Sequence, residues 1–337
     1  MKRRTFVKGT VAFLGSGLLD ATSPASSVEA ALAAGAAIPK RRLGKTDLQV
    51  TIIGLPGWHV GRMRSEQAAL NLIARALDLG INFYDSAPSY LDGESERRLG
   101  KGLKGRRERI ILMTKTLARR KAEAAAELDA SLRRLETSYL DLWQFHALGT
   151  PDEVDTVWGA GGAIEAAFEA KRAGKIRHFG FTGHRNARVH LKAVTEHHDQ
   201  METVQMPINP VDPHYESFTR LVLPEAAKHD LGVIAMKTVA NGTLVEDRVA
   251  TPEECHRFAW SQTRAADGGA GVATLVAGLD TPAQLDDNVA QALRFKPYSE
   301  SELAALLDCT RSFAGIETET YKHPSRTWRT YPAQPVL

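Results

Sequence analysis

Beyond residue 40 the chain alternates, eight times over, between a short β-branched apolar run and a longer amphipathic stretch with helical spacing. Parallel strands need a crossover of roughly a dozen residues or more, so this rhythm predicts βα units rather than hairpins. The apolar runs fall at residues 50–55, 82–85, 110–115, 140–146, 176–182, 203–206, 232–237 and 273–277. Helices are expected at 66–79, 94–103, 122–135, 161–173, 187–196, 220–229, 252–265 and 282–292. In the stretch 122–135, Ala125, Leu128, Leu132 and Leu135 recur at helical spacing while Glu123, Glu127, Arg133 and Arg134 take other faces. Eight such units over about 250 residues predict an α/β fold, the (β/α)8 TIM barrel, whose functional groups sit at the C-terminal ends of the strands.

Charge and cysteine content narrow the function classes. The net charge is only +3, and the basic residues lie at the N-terminus (Lys2, Arg3, Arg4, Lys8) or in scattered patches such as Arg106, Arg107 and Arg109. No nucleic-acid partner is expected from this. Cys255 and Cys309 are the two cysteines, with no paired Cys/His spacing, so neither a disulfide framework nor a zinc site is expected. His197 and His198 are adjacent, a poor arrangement for one helix-borne metal site, and read as surface residues.

Three consecutive strand ends carry polar groups. Asp85 ends the run in GINFYD, Tyr90 follows five residues on, Lys115 ends ILMTK and His146 ends DLWQFH. A phenol with a pKa near 10 is a poor proton source or sink at neutrality, but an adjacent ammonium lowers that value. Lys115 is expected to supply that charge, Asp85 to hold the lysine, and His146 to hydrogen-bond a substrate oxygen. A barrel hydrolase or isomerase using Asp85 and His146 has little support, since no second carboxylate or metal set accompanies them.

GINFYDSAPSY followed by GESERRLGKGL, ILMTK and DLWQFH resembles the aldo-keto reductase family, and the likeness extends over residues 41–293 from RRLGKTDLQVTIIGLPGW. The resemblance implies a catalytic tetrad of Asp85, Tyr90, Lys115 and His146 and hydride transfer between a nicotinamide and a carbonyl or alcohol. It leaves open a nucleotide-binding regulatory barrel with little turnover, as some relatives are.

No Gly-rich dinucleotide fingerprint follows a strand, so the resemblance implies a nicotinamide nucleotide lying across the barrel mouth. In KIRHFGFTGHR the pair Thr182-Gly183 stands where the family usually has Ser-Asn to hold the carboxamide; Gly183 lacks the amide, with His184 beside it. Gln205 matches the family glutamine that bonds the same group. Met236 stands at the place of the usual aromatic stacker, Lys237 is placed to reach the pyrophosphate, and the loop 239–251 is long enough to close over it. In GLDTPAQLDDN, Gly278, Gln284, Asp287 and Asn288 match adenosine-binding positions. Asp280 brings a carboxylate to the phosphate end, which is unfavourable, unless it serves as a cap at the helix start. NADP(H) is favoured, with NAD(H) left open.

The substrate is expected over the tetrad, a small-molecule carbonyl or polyol walled by Trp58 and His59 from the first loop, Trp158 from the loop 147–162, and residues 209–215. Residues 38–297 are read as the barrel and 298–337 as a C-terminal helix (301–313) and tail, with Trp328 an anchor or a substrate contact. Residues 1–37 are read as leader and linker. Lys2-Arg3-Arg4-Thr5-Phe6-Val7-Lys8 and the apolar run 9–19 resemble a twin-arginine export signal, with cleavage after Ala30 or Ala33. The apolar run is shorter than the roughly 20 residues of a membrane span. The twin-arginine translocase is thus an expected partner and the periplasm the expected location, where a scarce nucleotide would favour retention of the cofactor between turnovers.

Overall fold

The computed structural model describes residues 24–262 and 271–324. A two-stranded antiparallel ribbon, β1 (Lys40–Arg42) and β2 (Gln49–Thr51), precedes eight parallel strands. These are β3 (Ile53–Pro56), β4 (Phe83–Asp85), β5 (Ile111–Thr116), β6 (Leu140–Phe145), β7 (Ile176–Thr182), β8 (Thr203–Pro207), β9 (Gly232–Met236) and β10 (Val272–Val276). They pair in chain order, and β10 pairs with β3 to close the barrel. The expected TIM barrel is present.

Alternation along each strand separates two apolar layers. Phe83, Ile111, Met113, Leu142, Ile234 and Val276 fill the barrel interior, whereas Tyr84, Leu112, Trp143, Phe145, Phe181 and Val204 pack outward against the helices. Following the inward parity towards the C-terminal ends leads to Asp85, Lys115, His146, Thr182, Gln205 and Met236. The period of two that buries the interior therefore also aims these six side chains into the mouth.

The expected strand 50–55 divides into two. Thr51 donates its backbone N–H to Asn82 Oδ1 at 2.7 Å and its hydroxyl to the Ile53 carbonyl at 2.8 Å, which turns the chain between β2 and β3. The ribbon then sends Leu43, Leu48 and Val50 into the barrel interior as a floor plug. Burying each such side chain is worth about 1.5–3 kcal/mol. The expected helix 220–229 is also divided, into Phe218–Leu221 and Leu223–Lys228, because Pro224 opens a new helical turn. The helix expected at 252–265 spans Pro252–Ser261, and residues 263–265 lie outside the described residues.

Part of the segment read as leader and linker touches the barrel. Helix Pro24–Ala33 packs against helix Pro282–Leu293, with Val28 fully buried and Glu29 paired to Arg75 at 3.1 Å. Ala30 and Ala33, the expected cleavage positions, both lie in this helix. Arg3-Arg4 and the apolar run 9–19 lie outside the described residues, as does Trp328. Among the described residues no helix is long and apolar enough to cross a membrane.

At the C-terminus, helix Glu300–Thr310 leads to a strap that returns to the sixth loop. Lys322 is fully buried between Asp212 Oδ1 (2.9 Å) and Glu319 Oε2 (2.6 Å), and also donates to the Tyr215 carbonyl at 2.7 Å. Tyr321 donates to Glu319 at 2.6 Å and accepts from Asn209 at 2.8 Å, so the buried charges are all hydrogen-bonded.

Candidate active site

The four strand-end residues converge. Asp85 is the last residue of β4, Lys115 lies one residue inside the end of β5, and His146 follows β6 with its N–H donating to the Thr116 carbonyl at 2.8 Å. Lys115, fully buried, donates to Asp85, to the Ser86 carbonyl at 2.7 Å and to the Tyr90 hydroxyl at 3.1 Å. Tyr90 is held by a turn in which Leu91, Asp92 and Gly93 all have positive φ, directly before helix Glu94–Leu103. Its ring meets His146 edge-on at 5.8 Å and Trp58 edge-on at 5.6 Å. His146 Nδ1 lies 3.4 Å from the Ser89 hydroxyl.

The electrostatics depart from the expectation that Lys115 depresses the Tyr90 pKa. Removal from water, with the Asp85 carboxylate nearby, drives the phenol well above its ordinary value. Burial also lowers the Lys115 ammonium, against the opposing pull of Asp85. The physical reason is that Asp85 already compensates the lysine's charge, leaving little net positive field at the phenol. Tyr90 therefore holds its proton across the neutral range. Burial likewise drives His146 well below its usual value, helped by Lys115, His184, Arg119 and Lys237, so the imidazole is neutral.

On the carboxamide side, Gln205 is fully buried; its amide nitrogen donates to Asp85 at 3.3 Å, while its Oε1 has no hydrogen-bond partner among the described residues. A buried amide oxygen without a donor is costly, and it fits the NH2 group of a carboxamide bound in the mouth. Thr182 stands beside it in register with Gln205. The missing amide at Gly183 has a steric cause: a Cβ there would stand 2.4 Å from the Leu148 carbonyl oxygen and 2.7 Å from His190 Cε1. His190, fully buried, occupies the space an asparagine would need, so Gly183 can offer backbone only. His184 is neutral, its pKa pushed down to about 3 by burial and then by Lys237 and His190. Lys237 follows Met236 with φ of 57°, and burial lowers its ammonium to about 8.

The residues expected to hold the adenosine follow the end of β10. Gln284 Oε1 accepts from the backbone N–H groups of Asp280 and Thr281 at 2.6 and 3.1 Å, and Thr281 caps the helix in return. Asp287 accepts from Gln291 at 2.8 Å, and Asn288 is buried. Gln284 and Asp287 are thus engaged within their own helix. Asp280 is not the cap; its carboxylate lies 3.6 Å from His59 Nδ1, and His59, with Arg62 behind it, holds the carboxyl below its usual range. His59 also covers Gly278, where a Cβ would approach its Nε2 to 3.0 Å.

Two expected pocket residues are therefore misplaced. His59 lies against Asp280 and Gly278 at the end of β10. Trp158 ends helix Pro151–Trp158 and packs outside the barrel, edge-on to Phe145 and Phe181 and stacked on His197 at 4.8 Å. Trp58 lies edge-on to Tyr90 at 5.6 Å. His197 is accordingly half-buried, as is His198, which stacks on His229 at 3.5 Å. Sequence reasoning missed Ser89, His190 and Arg119. Arg119 donates to the His146 carbonyl at 2.8 Å, and no motif marks it.

Comparison with known proteins agrees with this geometry. Residues 52–254 match the aldo/keto reductase family. The oxidoreductase YqkF of Bacillus subtilis is 31% identical over 221 residues, covering 61% of this chain and 67% of the relative. The L-galactose dehydrogenase of Arabidopsis thaliana is 30% identical over 236 residues, covering 65% and 70%. Among solved structures, the holo form of an aldo-keto reductase from Bacillus halodurans superposes with a TM-score of 0.67 at 27% identity, covering 84% of this chain and 99% of the other. The strand-end tetrad, the unsatisfied glutamine at the barrel mouth and these likenesses lead to one identification: the chain belongs to the aldo/keto reductase family of NAD(P)H-dependent oxidoreductases.

Proposed function

We propose that this enzyme interconverts a small carbonyl compound (an aldehyde, ketone or sugar) and its alcohol, with Tyr90 as the acid that protonates the substrate oxygen. The observation that carries the reading is the chain of contacts from Asp85 through Lys115 to the Tyr90 hydroxyl, closed by His146 across the ring. A bound reduced nicotinamide supplies the hydride. The chain's own residues do the rest. Neutral His146 donates an N–H to the carbonyl oxygen, Tyr90 delivers its proton as negative charge develops there, and Lys115 steadies the phenolate left behind. Because Tyr90 is strongly protonated beforehand, the resting site is set for reduction; the reverse reaction needs the phenol to lose a proton first and is favoured by alkaline pH.

Gln205 and Thr182 would hold the carboxamide, Met236 would pack on the ring, and Lys237 would face the pyrophosphate. NADP(H) is the favoured nucleotide. His59 and Arg62 beside Asp280 offset the carboxylate that would otherwise repel a 2′-phosphate. The five tryptophans allow a direct test by fluorescence titration with NADPH and NADH, followed by a carbonyl panel. Saturable NADPH binding with consumption on at least one carbonyl is expected. Binding of neither nucleotide at millimolar concentration by folded, nucleotide-free protein would overturn the reading.

The basic N-terminal run Lys2–Lys8 supports export by the twin-arginine route to the periplasm, with the cofactor loaded before transit. Fractionation of cells carrying Arg3→Lys and Arg4→Lys together tests this. Retention of the double variant in the cytoplasm is expected, and an unchanged periplasmic share would remove the proposal.

A further inference from the structure

At the His146 backbone the third and fourth loops are tied together by one guanidinium. Arg119 Nη2 donates to the His146 carbonyl at 2.8 Å, to the Ala147 carbonyl at 3.4 Å and to Glu153 Oε1 at 3.1 Å. Its Nη1 donates to the Leu117 carbonyl at 3.1 Å and its Nε to Glu153 at 3.3 Å. One planar fork thus satisfies acceptors from both loops and from the helix that follows. Glu153 is itself fixed, since its Oε2 accepts from the N–H groups of Gly149 and Thr150 at 2.8 and 3.1 Å. The base of the brace is anchored as well, with Ala163 N–H donating to the Arg119 carbonyl at 3.0 Å.

The bonded backbone is the part that needs holding. Ala147 has φ of 57°, in the left-handed region, where a residue with a side chain costs about 1–3 kcal/mol and persists only if its surroundings impose it. The two carbonyls that Arg119 Nη2 binds belong to His146 and to Ala147, on either side of the strained turn. If that turn relaxed, His146 would swing relative to Tyr90. An ordinary loop arginine would satisfy one carboxylate at the surface. This one is mostly buried, its side chain 16% exposed, and its contacts converge on the backbone of the residue that faces the substrate.

We propose that Arg119, braced by Glu153, is a positioning residue that fixes the backbone turn at His146 and thereby directs the N–H of His146 at the substrate oxygen. The inference rests on the proposed role of His146 in carbonyl chemistry. Other titratable groups face the same imidazole: Lys115 from β5, His184 from the fifth loop and Lys237 from the seventh, with the Tyr90 ring against it. Arg119 differs from these in also holding the turn.

The test uses the full chain with Arg119→Met, Arg119→Lys and Glu153→Gln. Its readouts are carbonyl kcat/KM, NADPH affinity from tryptophan fluorescence, and the His146 titration followed by NMR of labelled histidine. Arg119→Met is expected to lower kcat/KM by about 10- to 100-fold, to leave NADPH affinity within about twofold, and to move the His146 titration upward. Arg119→Lys keeps the charge but not the fork, so it should lose part of the rate with little movement of that titration. If Arg119→Met does not fold, Glu153→Gln reports on the brace with the arginine still in place, and a several-fold loss of kcat/KM is expected. An unchanged rate and titration in folded Arg119→Met, or in folded Glu153→Gln an unchanged rate, would overturn the proposal. Should the wild type reduce no carbonyl, the proposed function fails, and the His146 NMR signals still report whether Arg119 holds the turn: a change in folded Arg119→Met supports the brace and unchanged signals overturn it.

Discussion

The two ends of the barrel mouth are built differently. At the β4–β6 side, Lys115 donates to both Asp85 and Tyr90, and the His146 carbonyl is held by Arg119. At the β10 side, Gln284 caps its helix, Asp287 bonds Gln291, and Asp280 pairs with His59. The first region is assembled around its own chemistry before any ligand arrives. The second is assembled around the helix Pro282–Leu293, and its polar groups are partly engaged in holding that helix. On the proposed function a bound nucleotide would meet a finished reaction centre and a less dedicated adenosine seat, which predicts that substitutions on the two sides fail in different ways.

The largest effect is expected from Lys115→Met. It leaves the buried Asp85 carboxylate unpaired, so stability should fall by about 3–5 kcal/mol and turnover by at least about 100-fold, measured by denaturant unfolding and steady-state rates. Adding Asp85→Asn should restore most of the stability and none of the rate. Gln205→Leu comes next; it removes the unsatisfied acceptor at the barrel mouth, and nucleotide affinity measured by fluorescence should drop by about 1–2 kcal/mol.

Across the mouth the effects shrink. Asp280→Ser removes a partly exposed carboxylate, so the ratio of NADPH to NADH affinity should rise by several-fold, in keeping with about 1 kcal/mol for a charge pair in water. Gln284→Ala should lower stability by about 1 kcal/mol through loss of the reciprocal cap while nucleotide affinity stays within about twofold. A tenfold loss of affinity instead would show that Gln284 does read the adenosine.

A pH effect is expected from the buried histidines near Gly183, with His146 on the tetrad side adding to it in the same direction. His184 and His190 titrate at about 3 and about 4 in the folded protein, below the unfolded value near 6.5. Between those limits the unfolded chain binds more protons, so stability must fall as pH drops from 6.5 towards 4. The slope approaches about 1.4 kcal/mol per pH unit for each histidine. His190→Phe should remove roughly one such share from the acid limb of a Tm-against-pH curve.

Much of this was legible in the sequence because the barrel repeats one pattern. Period-two strands and helical stretches locate the βα units, and the strand parity that buries Phe83, Ile111 and Leu142 also places Asp85, Lys115 and His146. The floor ribbon was not legible: its strands have three residues each, and the Thr51–Asn82 bond that separates β2 from β3 joins positions far apart. Trp158 was misread as a pocket wall, although Thr150-Pro151 with Glu153 spells a capping box and so a helix carrying the tryptophan on its last turn. The effect of burial on Tyr90 depends on how fully Asp85 compensates Lys115, a three-body quantity that no spacing encodes. Arg119 and Glu153 meet across two loops, and neither belongs to a motif.

The most direct test of the account is Tyr90→Phe, with NADPH affinity and carbonyl turnover measured on the same preparation. The hydroxyl is the proton source in this reading and contributes nothing to the nucleotide seat. Turnover should fall by about 100-fold or more while NADPH affinity stays within about twofold. Turnover preserved within a few-fold, on a substrate the wild type reduces, would contradict the central claim that the Asp85–Lys115–Tyr90 chain performs the proton transfer.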